Sequence, residues 1–275
     1  MIFVDGHVHI YDCFDVEQLL DAALANLSAA REAVGIAGSD VSNVLLLVEG
    51  KKDSWFQQLH AEATKDGQLT RKISPHWHVE LDLADTSLKA FRGESAAQKL
   101  HIACGQQIVS KEKIEVLSLF CKKKIENGLD LAETISTIQQ FQGIAVLPWG
   151  VGKWMGKRGK QIAETLSRHE KQRFFLGDNG GRPAFWPEPA LFAAAAQQGI
   201  AVLSGSDPLP LKDDAGRVGS FGFYMECEKT DDQSVLSSLQ QALQAPGIQE
   251  KIHPFGALQK NTLFVSNQLR LRFST

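Results

Sequence analysis

Val44-Leu45-Leu46-Leu47-Val48 is five apolar residues in succession, with no polar residue at alternate positions. A strand with one wet face alternates. A strand covered on both faces reads as a continuous apolar run, the signature of a parallel sheet flanked by helices. On one side of this run, Val16–Val34 carries apolar residues at helical spacing and Ile2–Asp5 is a short apolar strand. On the other side, the pattern predicts a helix over Ser54–Ala63 and strands over His78–Leu81, Leu100–Cys104 and Ile114–Phe120. An amphipathic helix follows at Leu129–Gln140, then a strand at Gly143–Leu147, a helix at Gln161–His169 and a strand at Arg173–Leu176. Pro189–Gln198 reads as an alanine-rich helix, Ile200–Ser204 as a strand and Ser234–Leu243 as a helix, with late extended segments at Thr262–Val265 and Gln268–Phe273. Alternating β and α elements imply parallel strands joined by crossover helices. Seven or eight strands with no linker or repeat lead to an α/β expectation: one domain over residues 1–275, a distorted TIM-like (β/α) barrel of seven or eight strands.

Composition narrows the class. Of 275 residues, 43% are hydrophobic and 22% charged, which excludes disordered and collagen-like chains. The apolar runs are strand-length, far short of the roughly 20 residues of a membrane span, so no membrane partner is expected. A net charge of −3 and a pI of 6.2 argue against a general nucleic-acid binder, and no nucleic acid is expected as partner. The chain opens on a strand with no basic region before an apolar one, so no signal peptide is read. Cys13, Cys104, Cys121 and Cys227 are scattered without a C-x-x-C pair, which fits a reducing cytoplasm. Oligomeric state stays open.

In parallel α/β folds, chemistry gathers after the C-terminal ends of strands. The first strand is followed by Asp5-Gly6-His7-Val8-His9. Residues two apart in an extended chain share a face, so His7 and His9 can hold one metal through imidazole nitrogen. A second pair, His76-Trp77-His78, precedes its strand and reads as surface or packing. Ser206-Asp207-Pro208 follows a late strand, and Asp207 is a candidate metal ligand and general base. Glu49, Glu115 and Asp178 are further candidate ligands, and Asn179 could face the same mouth. The stretch Pro148–Lys160 is rich in glycine and cations. Lys153, Lys157 and Arg158 suit a phosphate or carboxylate, and Trp149 could stack on it. It is not a P-loop, because five residues separate Gly150 from Gly156. Arg182 and Arg217 are additional anion contacts.

Asp-Gly-His-Val-His after strand one, with Gly-Ser-Asp after a late strand, resembles the amidohydrolase-like metal-dependent hydrolases. The closer similarity is to their polymerase and histidinol phosphatase (PHP) branch, and it runs from Ile2 to Pro208. The resemblance implies a barrel and a hydrolase that binds two or three metals through about nine ligands. This chain departs from that pattern. Gln107 and Glu115 stand where an acid and a histidine are expected, Pro148-Trp149 replaces His-Pro, Leu209 replaces a histidine, and Glu49-Gly50 replaces Asp-His. His7, His9 and Asp207 are the matching positions. Two imidazoles and one carboxylate suit a single divalent ion, zinc or manganese, with an open coordination position. The expectation is therefore a one-metal hydrolase of a small anionic substrate, a phosphoester, acting through metal-activated water. The alternative is a degraded, metal-free relative that binds an anion or regulates.

Overall fold

The computed structural model describes residues 1–36, 40–65, 70–82, 86–93, 98–168, 173–227 and 234–273. His169, the last residue of an expected helix, lies outside them. In chain order the strands are β1 (Ile2–Val8), β2 (Ser42–Leu47), β3 (Thr70–Lys72), β4 (Trp77–Leu81), β5 (Ser87–Arg92), β6 (Lys99–Ala103), β7 (Gly105–Val109), β8 (Glu115–Leu119), β9 (Ile144–Pro148), β10 (Phe175–Asn179), β11 (Val202–Gly205), β12 (Phe221–Met225) and β13 (His253–Gly256). The helices are α1 (Val16–Ala33), α2 (Trp55–Thr64), α3 (Leu131–Gln140), α4 (Lys157–Leu166), α5 (Ala190–Gln197), α6 (Val235–Leu243) and α7 (Asn261–Phe273). No helix among the described residues is long and apolar enough to cross a membrane.

The strands form two mixed sheets and not a closed barrel. One has eight strands in the order β13-β12-β1-β2-β6-β5-β4-β3, the other five in the order β11-β10-β9-β8-β7. The expected βαβ units exist: β1, β2 and β6 are parallel neighbours, as are β9, β10 and β11. The barrel expectation fails because the remaining strands are antiparallel. β3, β4 and β5 form a meander on the edge of β6, while β12 and β13 extend the other side of β1. Alternation of β and α fixes parallel neighbours but not closure.

Three apolar clusters account for the continuous apolar runs. Val44, Leu46 and Val48 face inward with Ile2 and Val4 of β1, meeting Leu117, Leu119, Ile144, Val146 and Leu203 of the other sheet. Leu45 and Leu47 face outward with Phe3, against Leu19, Leu20 and Leu27 of α1 and Phe56 and Leu59 of α2. The outer face of the five-stranded sheet buries Ala145, Leu147 and Leu176 under α3, α4 and α5. Each central strand is thus covered on both faces. The C-terminal residues expected to be extended form α7 instead. Leu263, Val265 and Leu269 are exposed on it, so no apolar stripe marked it as a helix.

The two sheets meet at glycines. A Cβ at Gly205 would lie 2.3 Å from the backbone nitrogen of His7, and one at Gly6 would lie 2.6 Å from the carbonyl of Ser204. Neither position has room for a side chain. At this crossing the Asp207 amide donates to the His7 carbonyl at 2.9 Å. Gly205→Ala should therefore destabilise the fold by roughly 1–3 kcal/mol or more through overpacking against backbone. Urea denaturation checks this, and an unchanged midpoint would show that the crossing tolerates spreading.

Candidate metal centre

Val8 and Ile10 pack into the outer core beneath α1, which turns His7 and His9 to the opposite face. Both imidazoles are buried. Their Nε2 atoms lie 3.0 Å apart. Asp207 Oδ1 is 3.5 Å from His7 Nε2 and 3.7 Å from His9 Nε2. Ligand atoms of all three residues fall within 4.8 Å of one another, and among the described residues this is the one such cluster of three histidine, cysteine or acidic side chains.

Asp207 is held tightly for a residue in a loop. Its φ of 45° is left-handed, a strained conformation for a non-glycine residue. Asn179 fixes its outer oxygen: Nδ2 donates to Asp207 Oδ2 at 2.9 Å and to the Trp149 carbonyl at 2.8 Å. Oδ1 is thereby left facing the two histidines. Below the cluster, fully buried Asp5 accepts from the backbone amides of Ser206 at 2.8 Å and Gly219 at 2.7 Å, and from that of His7 at 3.3 Å. One carboxylate thus ties β1 to both loops on the far side of the crossing.

The electrostatics favour a cation. Burial pulls His7 down to about 4, against the opposing pull of Asp207, and burial lowers His9 as well. Both rings are neutral at pH 7, with ring nitrogen lone pairs for a metal. For Asp207, burial acts to raise the carboxyl, but His7, His9, Lys153 and Arg217 outweigh it and leave it below the usual range. Burial pushes Asp5 up to about 6 despite its hydrogen bonds from Ser206, Gly219 and His7. The donor set of two neutral nitrogens and one ionised carboxylate fits a single zinc or manganese ion.

The other expected site residues are distributed differently. Glu115 stands beside the cluster, its carboxylate gripped by Lys153 Nζ with both distances 2.6 Å. Lys153 folds over Gly150 and is close enough to bear on His7, His9 and Asp207. Arg217 pairs with Asp214 at 3.3 Å, reaches the Ser206 carbonyl at 3.4 Å and bears on Asp207. Glu49 lies outside the cluster and accepts from the Phe56 amide at 2.7 Å, closing the start of α2. Asp178 forms a bidentate pair with Arg182, at 3.0 and 2.7 Å, which occupies both. Arg158 donates to the Gly152 carbonyl, and Lys157 is exposed at the first turn of α4. Trp149 is buried under the five-stranded sheet's helices, edge-on to Trp186. His76 pairs with Glu17 at the surface and His78 stacks on Phe91, both away from the cluster.

Three residues to which sequence reading gave no role complete the site. Asp5 is one. Gln107 of β7 faces His9. Tyr11 stacks on the His9 ring, with centroids 5.3 Å apart. The signal for Tyr11 was present: His7, His9 and Tyr11 stand at i, i+2 and i+4, one face of an extended chain.

No protein-family model matches the sequence, and no curated protein matches it. Among solved structures, PsfC from Pseudomonas syringae PB-5123 superposes with a TM-score of 0.55 at 12% identity, covering 98% of this chain and 97% of that one. In fold, this chain is similar to PsfC. Two weaker likenesses are to Endonuclease Q in complex with a 27-mer duplex bearing an abasic lesion, and to the lesion-specific endonuclease PfuEndoQ from Pyrococcus furiosus. Their TM-scores are 0.47 and 0.48, at 11% and 14% identity. They cover 87% and 88% of this chain but 55% of each of those. The expectation of no nucleic-acid partner is withdrawn, because it rested on the whole-chain pI alone. A whole-chain pI averages over the surface and does not exclude a local nucleic-acid site.

The buried histidines make stability depend on pH. His7 is neutral in the fold down to about pH 4 but protonates near 6.5 when unfolded, so the unfolded chain binds more protons between those values. Its contribution to stability is lost as pH falls through that window, on the order of 3 kcal/mol. Asp5 acts in the opposite sense: it stays protonated in the fold up to about pH 6, so its contribution falls as pH rises from about 4 to 6. Urea midpoints between pH 7 and 4.5 should therefore change less in His7→Asn than in the parent, and fall more steeply on acidification in Asp5→Asn. Equal slopes in all three proteins would contradict the buried, neutral state of the ring.

Proposed function

We propose that this chain is a PHP-like metal-dependent hydrolase acting on a phosphoester of a small anionic substrate. One observation carries the reading: His7 and His9 from the end of β1 and Asp207, 200 residues later, meet in one buried cluster whose ionisation suits a cation. His7 Nε2, His9 Nε2 and Asp207 Oδ1 would hold one divalent ion, zinc or manganese. Such an ion supplies Lewis acidity, which makes a water nucleophilic near neutral pH and polarises the ester. Asp207 accepts the proton of the attacking water, and Asn179 keeps its carboxylate turned for that task. Lys153 and Arg217 offer positive charge to the anionic group, and Glu115 pairs with the solvent-exposed Lys153 ammonium and fixes its direction. Asp5 keeps the two strands in register beneath.

A metal-free, anion-binding reading rests on the engagement of Glu49, Glu115 and Asp178 elsewhere, which leaves three ligands in place of a larger set. Elemental analysis separates the two. Protein purified without a histidine tag, before and after incubation with zinc or manganese, should hold about one equivalent of metal. The His7→Ala/His9→Ala double variant should hold none while keeping its thermal transition, and a phosphoester screen of the loaded protein should find activity that the variant lacks. Absence of metal under every condition would overturn the hydrolase. The metal-free reading would then require phosphate alone to raise the melting temperature.

A further inference from the structure

Tyr11 is a polar side chain at the cluster that none of the roles above uses. Its ring is clamped between two others. One face lies on His9, at 5.3 Å and 27°, and the edge of Phe14 meets it at 5.4 Å and 83°. A backbone turn from the Phe14 amide to the Tyr11 carbonyl, 2.9 Å, fixes that second contact. The ring therefore has little freedom, and its hydroxyl is preorganised. Among the described residues that hydroxyl has no hydrogen-bond partner. A half-buried phenol without a partner, stacked on the His9 ring, is a free donor.

We propose that Tyr11 is a substrate-contacting residue whose neutral hydroxyl donates a hydrogen bond to an anionic oxygen of the ligand held at the His7–His9–Asp207 cluster. The inference rests on the hydrolase reading above and adds to it the means of recognition. A neutral donor suits this position better than another cation, because it binds an anion without repelling the metal. Lys153 supplies charge and Tyr11 supplies direction, since a phenolic O–H on a clamped ring offers one narrow approach.

The test uses the full-length untagged protein and its Tyr11→Phe variant, which keeps the ring, the stacking and the fold. Manganese(II) and then inorganic phosphate are titrated calorimetrically into each. The expected result is equal manganese affinity and, on the loaded protein, phosphate binding about ten- to a hundredfold weaker in the variant, the usual worth of a hydrogen bond to a charged group. Equal phosphate affinity overturns the proposal, as does absence of phosphate binding to the parent protein. Parallel loss of manganese affinity in Tyr11→Phe also overturns it, by assigning Tyr11 to support of the His9 ring. If the parent protein takes up neither manganese nor zinc, the hydrolase reading fails by itself. Phosphate titrated without metal then decides Tyr11: weaker binding in the variant supports the donor role, and equal binding rejects it.

Discussion

The approach of β1 to β11 at Gly6 and Gly205 is the constraint on which the site depends. A side chain at either position would collide with backbone, so the two strands come close enough for the Asp207 amide to reach the His7 carbonyl. That single hydrogen bond sets where Asp207 begins, and its left-handed φ turns the carboxylate back over the histidines. Strain of this kind costs of order 1–3 kcal/mol and persists only where surroundings over-determine it. Here Asn179 holds one carboxylate oxygen, and the two backbone amides bound to buried Asp5 fix the loops on either side.

The same geometry sets the charge state. Two imidazoles taken out of water are cheaper neutral than protonated, whereas a carboxylate close to them and to Lys153 and Arg217 stays ionised. Glu115 offsets Lys153, so the ammonium stays near the cluster without flooding it with positive charge. Asp5 is buried more deeply and is protonated more readily, which suits a structural tie and not a ligand. Burial thus gives neighbouring acids different tasks.

Much of this was legible in the residues, and what was not has physical reasons. The runs at Ile2–Asp5, Val44–Val48 and Gly143–Leu147 announced central strands because both faces are covered. The strands that escaped are edge or antiparallel ones. β7 opens Gly105-Gln106-Gln107 and β13 contains Pro254, so neither shows an apolar run, and Gly222 interrupts the apolar residues of β12. Those same strands turned the expected barrel into two sheets. At the site, the spacing of His7 and His9 and the position of Asp207 after a strand named three residues that the structure brings together. The cations were harder, because which of them converge depends on partners distant in sequence: Lys153 is directed by Glu115, 38 residues away. Arg182 and Asp178, four apart, are a pair that local spacing could have joined. Tyr11 was overlooked because an aromatic next to a strand reads as core.

β1 lies between β2 and β12, so its neighbours come from opposite ends of the chain: Val4 faces Val44 on one side and Phe223 on the other. One edge of β1 is paired from nearby in sequence, but its other edge and the crossing with β11 draw on residues about 200 positions away. Contacts of such separation carry a large loop-closure cost and form late in folding. The cluster around the two histidines is therefore completed late. A nascent or partly unfolded chain presents His7 and His9 without Asp207, so the three-residue cluster exists only in the finished fold.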